Sequence, residues 1–529
     1  MELIELLDVL ASRGVQIWAE GDRLRCRAPQ GALTADVRAA LEANKPAILA
    51  SLRAMSGDVA SPIVRVDRSG RLPLSFAQQR LWFLSQLEPE SAAYNIPTAV
   101  QISGRLDVAA LTRAADAIAE RHEVLRTTFT DDRGQPVPVI HPASPSVITG
   151  VDLRGLSGDA QQEQLRVHMA QQTRQRIDLE RGPLVRLALV QLAAEEHVLL
   201  FTIHHIASDG WSSRVFLREL AELYGAFAAG RSSPLPELPI QYVDFAQWQR
   251  QSLSGEVLER QLAYWRRQLS GVPTLDLPFD HPRGPLQTFA GRSMSSPLPA
   301  DLSAALRGMC RDQGVTPFML LLAAFNVLVY QYTDQRDIAI GSPAMNRARP
   351  EAEPLIGFFV NTVVLRSRLD GQMSFRAFLA QVRETSLEAY AHQEMPFEQL
   401  VAEIQPRRDL SRHALFQIVF VFQDNPVERQ EIAGLTLRQL EVESSHVKFD
   451  LVVNVWSTQD LFVVWWEYNS DLFESTTIVQ MAEDFEALLH GIVAHPDSHL
   501  DELSILSLRE RTALAADVRV RELEGDFAL

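Results

Sequence analysis

An apolar run, His197-Val-Leu-Leu-Phe-Thr-Ile203, feeds without interruption into His204-His-Ile-Ala-Ser-Asp-Gly210. The run is rich in branched and aromatic side chains and reads as a buried strand. Past Trp211, the residues Val215, Phe216, Leu220, Leu223 and Tyr224 fall near helical spacing, with Ser212 or Ser213 as the N-cap. A strand, a tight turn and a helix start therefore enclose two histidines and an aspartate. Such a turn commonly aims polar side chains at a ligand.

The chain of 529 residues exceeds one core, and the length prior suggests about three or four units. Its 46% hydrophobic and 22% charged residues supply real cores. A net formal charge of −17 argues against general affinity for nucleic acid or anionic membranes. Cys26 and Cys310 are the only cysteines, so neither a disulfide framework nor a metal-type spacing is present. The N-terminal Met-Glu-Leu-Ile-Glu is acidic where a signal peptide needs basic residues. The apolar stretch from Phe318 to Tyr332 is interrupted by Asn326 and Gln331 and is too short to span a bilayer. The expectation is a cytoplasmic protein with no membrane, nucleic-acid or metal partner.

Residues 1–56 read as a small module. Leu3, Leu6, Leu7 and Leu10 form a helical stripe, and Val15–Ala19 and Leu24–Ala28 alternate across Glu20-Gly-Asp22 as a hairpin. Helices are expected from about Thr34 and about Pro46, giving the order α-β-β-α-α. Arg23, Arg25 and Arg27 share one strand face. That face is either solvated or a docking surface where an edge strand accepts an acidic segment by strand addition. Residues 57–70 suit a linker. Two larger units follow, 71–242 and 243–510. The first carries a helix near Ala77–Leu84, a strand at Thr98–Ile102, a helix from Val108 and a strand pair ending at His204. The second opens with one long helical region, Val243 to about Leu269. It continues with a helix at Thr316–Tyr332, one at Ser374–Gln393, one at Ser475–Ala494, and strands between them. No regular βαβ period appears, so the fold class is α+β.

Histidine is the default acid-base group near neutral pH. Adjacent histidines on an extended chain point to opposite faces, so one of His204 and His205 faces a cavity while the other packs inward. Asp209 can pair with an arginine or accept from a backbone amide. Gly210 permits a backbone closed to other residues and close ligand approach. There is no Gly-x-Ser-x-Gly elbow, so Ser208, Ser212 and Ser213 read as loop and cap serines. No metal or phosphate-loop motif is present. His122-Glu123 reads as structural, and Trp465-Trp-Glu-Tyr468 either lines a channel or packs in a core.

Seven segments in order resemble the motifs of nonribosomal peptide synthetase condensation domains. They are Ser75-Phe-Ala-Gln-Gln-Arg-Leu-Trp-Phe-Leu84, Arg121-His-Glu-Val-Leu-Arg-Thr-Thr-Phe129, His204–Gly210, Tyr242-Val-Asp-Phe-Ala-Gln-Trp248, Ile356-Gly-Phe-Phe-Val-Asn-Thr362, His392-Gln-Glu-Met-Pro-Phe-Glu398 and Arg408-Asp-Leu-Ser-Arg412. Residues 1–56 resemble the small TubC-like N-terminal docking domain of such synthetases. The resemblance implies two chloramphenicol-acetyltransferase-like lobes in a V, with the His204–Gly210 turn at the middle of a tunnel. It implies that His205 is catalytic and His204 structural, that Asp209 forms an architectural ion pair with Arg347 or else Arg80, and that the Gly210 amide meets the thioester carbonyl. Ser208, Trp211, Asn361 and Tyr468 are tunnel candidates.

The implied reaction is aminolysis of an acyl or peptidyl thioester by a carrier-bound acceptor amine. No bound cofactor is expected. The substrates ride on phosphopantetheine arms of upstream and downstream carrier proteins. An upstream synthase or synthetase tail would meet the docking domain, and residues 511–529 would begin the linker to an adenylation domain. The Asp-Gly-Trp-Ser order resembles condensing rather than epimerising relatives. Val363 stands where a glutamine often follows the threonine, which leaves the donor class open. One alternative is a starter domain taking a fatty acyl group from acyl-coenzyme A. Another is an idle module that recruits a partner protein.

Overall fold

The computed structural model describes residues 16–20, 23–27, 34–56, 62–347, 349–404, 409–424, 430–440, 442, 446–458 and 460–503. The apolar run before the turn is the strand Glu196–His204, buried in all but its first residue. It pairs antiparallel with Asn95–Ser103 on one side and Val185–Gln191 on the other, which sets Asn95 opposite His204 and Val185 opposite Ile203. Both faces of this strand are covered, which is why its sequence does not alternate. Leu199, Phe201 and Ile203 join a core with Leu111, Ile118, Val215 and Leu220. Val198 and Leu200 face a smaller cluster under Leu165 of the helix Gly158–Arg174.

The complete sheet has six strands, in the order Gln430–Ile432, Leu435–Leu440, Asn95–Ser103, Glu196–His204, Val185–Gln191, Ile148–Asp152. Its first two strands come from far down the chain: Leu435–Leu440 pairs antiparallel with Asn95–Ser103, Leu440 opposite Ala99. The sequence division at 242 and 243 therefore does not divide the sheets. The cores cross the same line, since Phe245, Leu355, Ile356 and Phe359 all pack in the first core.

A second six-stranded sheet runs Asn361–Arg368, Asp337–Ala344, Ile418–Asp424, Leu451–Ser457, Phe462–Asn469, Gly291–Pro297. The helix Pro317–Thr333 is buried continuously from Phe318 to Tyr330 in the core it shares with this sheet, and the one amide side chain in that run, Asn326, donates to Leu322 O. Along Leu451–Ser457 burial alternates with the pleat, so that one face of the strand belongs to this core and the other is only half-buried. Among the described residues, no single helix is long and apolar enough to cross a membrane.

Two helical expectations change. The region from Val243 is two helices, Tyr242–Ser252 and Gly255–Leu269, separated at Leu253-Ser254, with Gly255 at a φ of +56°. Near the N-terminus one helix, Ala35–Ser56, runs through Pro46 where the sequence suggests two. Its buried stripe of Val37, Leu41 and Ile48 spans the proline, and Pro46 itself is exposed. Packing on that face offsets the hydrogen bond that the proline removes. The helix Gly158–Arg174 has no counterpart among the sequence expectations, because only Leu165 and Thr173 of it are buried. The hairpin itself is present, as Gln16–Glu20 paired with Arg23–Arg27. The expected first helix, the start of the linker and residues 511–529 lie outside the described residues.

Candidate active site

The strand Glu196–His204 ends at the first histidine. His205 opens a single 3-10 turn, His205–Ala207, and Asp209 then caps the helix Gly210–Ala228. Because His205 has left the extended strand, strand alternation no longer governs it. Both His204 and His205 consequently line a cavity of about 640 Å³ between the lobes, against the expectation that they face opposite ways. His204 is nevertheless bound into the turn: its Nδ1 accepts the Ile206 N–H at 3.1 Å.

The backbone N–H of His205 donates to Tyr94 O at 2.7 Å, which fixes where the turn begins. Its Nδ1 lies 2.9 Å from Ser208 O. A carbonyl only accepts, so Nδ1 carries the proton and Nε2 keeps its lone pair. Burial, reinforced by the nearby charge of Lys448, lowers the His205 pKa to about 3. The ring is therefore neutral at physiological pH, with Phe358 packed at 4.5 Å between ring centroids.

Asp209 faces the other way and is saturated. Its Oδ1 accepts from the Ser212 N–H at 2.8 Å and the Ser212 hydroxyl at 2.7 Å. Its Oδ2 accepts from the N–H groups of Phe359 at 3.0 Å and Val360 at 3.3 Å. Arg347 Nη2 reaches both oxygens, at 3.1 and 3.3 Å, while Nη1 donates to Ala352 O and Leu355 O at 2.7 and 2.8 Å. The guanidinium lies over the Phe359 ring at 3.9 Å, and both charged side chains are 3% exposed. Burial lowers the Arg347 pKa from its usual value, with Asp209 opposing. Asp209 thus ties the turn to residues 347–360.

His122 adds a second tie. Its Nδ1 accepts the Ile356 N–H at 3.3 Å, and its Nε2 donates to Glu219 at 2.8 Å. Gly357 completes the junction through close approach, since a Cβ there would lie 2.0 Å from the Tyr242 ring. Arg80, the other expected partner of Asp209, instead donates to Glu398 at 3.1 Å on the cavity wall.

The remaining candidates separate. Asn361 lines the cavity, but its amide is committed to Gln393 O, Met395 O and the Phe397 N–H at 2.7, 2.6 and 3.1 Å. Ser208 is fully buried, and Trp211 Nε1 donates to Glu353 O at 2.9 Å; neither lines the cavity. Tyr468 is 3% exposed within the second core, so it is a packing residue and not a tunnel wall. Trp466 likewise is core. Gly210 has no left-handed backbone, is exposed, and an added Cβ would meet nothing within 4 Å. Its backbone therefore gives no reason for glycine, contrary to expectation. Arg23, Arg25 and Arg27 alternate along their strand, and their side chains lie outside the described residues.

Sequence reasoning misses Tyr94, His413 and Lys448, which the two lobes bring to the same cavity as Glu398. The Lys448 ammonium sits 4.3 Å from the centre of the Tyr94 ring. Burial, then Arg80, lowers its pKa to about 8, with Glu467 opposing. Burial also pushes His413 down to about 3; its ring stacks on Phe397 at 5.5 Å. No spacing in the sequence links these residues, and only tertiary assembly gathers them.

A family model described as Condensation domain matches residues 68–515, and one described as TubC N-terminal docking domain matches residues 3–53. One of the linear gramicidin synthase polypeptides of Brevibacillus parabrevis is 44% identical over 468 residues, which is 88% of this chain and 6% of that protein. Chondramide synthase cmdD of Chondromyces crocatus is 42% identical over 467 residues, 88% of this chain and 12% of its own length. The chain thus spans a small part of these relatives. Among solved structures, the X-domain from teicoplanin biosynthesis, in complex with OxyB, matches with a TM-score of 0.76 and 30% identity. That match covers 84% of this chain and 98% of the X-domain chain.

Proposed function

The chain belongs to the condensation-domain family, with its acetyltransferase-like lobes, and we propose from this that the His205 cavity forms amide bonds between thioester-bound substrates. The acceptor amine nitrogen attacks the donor thioester carbonyl. The new C–N bond replaces the C–S bond, and the sulfur leaves with a proton. The nucleophile must be the neutral amine, and the Nε2 lone pair of His205 is the group that holds its proton or receives it. The single observation carrying this reading is the Nδ1 contact to Ser208 O, which commits one ring nitrogen as a donor and leaves the other as a free acceptor.

A thioester is already activated, so alignment of two tethered reactants supplies much of the ~7–11 kcal/mol that orientation provides. Base catalysis adds about 10²–10⁴-fold. The proposed partners are an upstream carrier delivering an acyl or peptidyl chain and a downstream carrier holding the acceptor amino acid. The N-terminal module would receive an acidic tail of the upstream protein on the strand that carries Arg23, Arg25 and Arg27.

The test is a single-turnover assay with donor and acceptor loaded on phosphopantetheinylated carriers, read by mass spectrometry. Amide product from carrier-bound donor supports this reading. Product only from acyl-coenzyme A makes the chain a starter enzyme, and no product with either donor makes it a recruiting module.

A further inference from the structure

Lys448 takes no part in the chemistry above, yet its position is tightly held. The Val447 N–H donates to Phe289 O at 3.0 Å, Gln287 Nε2 donates to Lys448 O at 2.9 Å, and the Asp450 carboxylate is paired with Arg283. This pinned backbone sends the lysine side chain into the cavity that His205 lines. Its ammonium rests on the Tyr94 face, and among the described residues it has no carboxylate within 4.0 Å. The carboxylates around it are engaged elsewhere: Glu398 with Arg80 at 3.1 Å, and Glu467 with Asn454 Nδ2 at 2.6 Å. Neither neighbouring histidine can supply a counter-charge, because an imidazole is either neutral or cationic, and His205 and His413 are held neutral by burial.

A cation–π contact recovers about 0.5–2 kcal/mol, whereas a charge stripped of water and left unpaired costs several kcal/mol. Water meets this demand in the open cavity. A substrate that fills the cavity displaces that water and has to bring an oxygen of its own. A second cation in the same place meets repulsion as well as desolvation.

We propose that Lys448 is a specificity-determining residue: its ammonium binds a side-chain carbonyl or carboxylate oxygen of the substrate amino acid lying against Tyr94 and Phe449, and it excludes a cationic side chain there. This rests on the condensation reading, so its test is a binding measurement that needs no turnover. Pantetheine amides of glutamate, glutamine and lysine, in which the amide replaces the reactive thioester, are titrated into the full chain by calorimetry. The wild type is expected to bind the glutamyl and glutaminyl probes at least about tenfold more tightly than the lysyl probe. Lys448→Met should bring all three within about twofold, and Lys448→Arg should keep the discrimination. An unchanged ratio in Lys448→Met, a wild-type preference for the lysyl probe, or no binding of any probe overturns the assignment. Discrimination without amide product in the carrier assay would instead retire the condensation reading and leave the subsite standing.

Discussion

Asp209 and His205 sit on one turn, yet their polar atoms are used in opposite ways. Both carboxylate oxygens of Asp209 are engaged by the Ser212 amide and hydroxyl, two backbone amides and Arg347. His205 commits its Nδ1 to Ser208 and leaves the Nε2 lone pair free to accept. The same contrast separates the two cations nearby: both lie over an aromatic ring, but Arg347 also donates to Asp209 and two backbone carbonyls, whereas Lys448 has no carboxylate within 4.0 Å among the described residues. What a buried polar group has already satisfied serves the fold, and what it leaves unsatisfied is available to a substrate.

This contrast can be broken at each end. His205→Ala should lower single-turnover amide formation by about 10²–10⁴-fold while the melting temperature stays close to wild type. Near-normal turnover by the folded variant would remove His205 from the chemistry. Asp209→Ala should do the reverse in kind, destabilising the protein by about 3–5 kcal/mol by stranding Arg347, with urea unfolding as the measurement. The double variant Asp209→Ala, Arg347→Met should recover part of that loss, because no unpaired charge remains. An Asp209→Ala protein that unfolds like wild type would overturn the anchoring role.

A smaller effect follows from pH. His204, His205 and His413 each have a folded pKa lowered to about 3 by burial, against 6.5 when unfolded. Their depressed values mean that the unfolded chain binds more protons between those limits, so stability falls as pH drops below 6.5 and is unaffected by them above it. Melting temperatures across that range check this, and His205→Ala should show a shallower decline. Within the same window, Lys448→Met removes a charge that helps keep His205 neutral, so the acid limb of the rate profile should move to higher pH. The smallest effect is expected for Gly210→Ala. With open space at the Cβ position, stability should change by less than about 1 kcal/mol, so any loss of turnover would report contact with substrate and not a strained backbone.

The turn itself is legible in the sequence because its strand is continuously apolar and its helix has a periodic face. Asp209 and Arg347 become legible through the ordered motifs around them. The two-histidine rule fails for a local reason: alternation holds only along extended chain, and His205 begins a 3-10 turn. Tyr468 misleads because an aromatic in a strand carries no mark of which sheet face is buried. Lys448 and His413 are invisible, since their meaning comes from a cavity whose walls are far apart in sequence. The helix Gly158–Arg174 escapes notice because a mostly exposed helix has almost no apolar stripe to detect.

The pairing of Leu435–Leu440 with Asn95–Ser103 also bears on how this molecule is made. During synthesis the first sheet begins early but receives its last two strands only after most of the chain has emerged. Until then Asn95–Ser103 offers an uncovered edge, a template for pairing with another copy. Halves expressed separately at residue 242 should therefore aggregate alone and recover when mixed, because the late segment acts as the intramolecular escort of the early one.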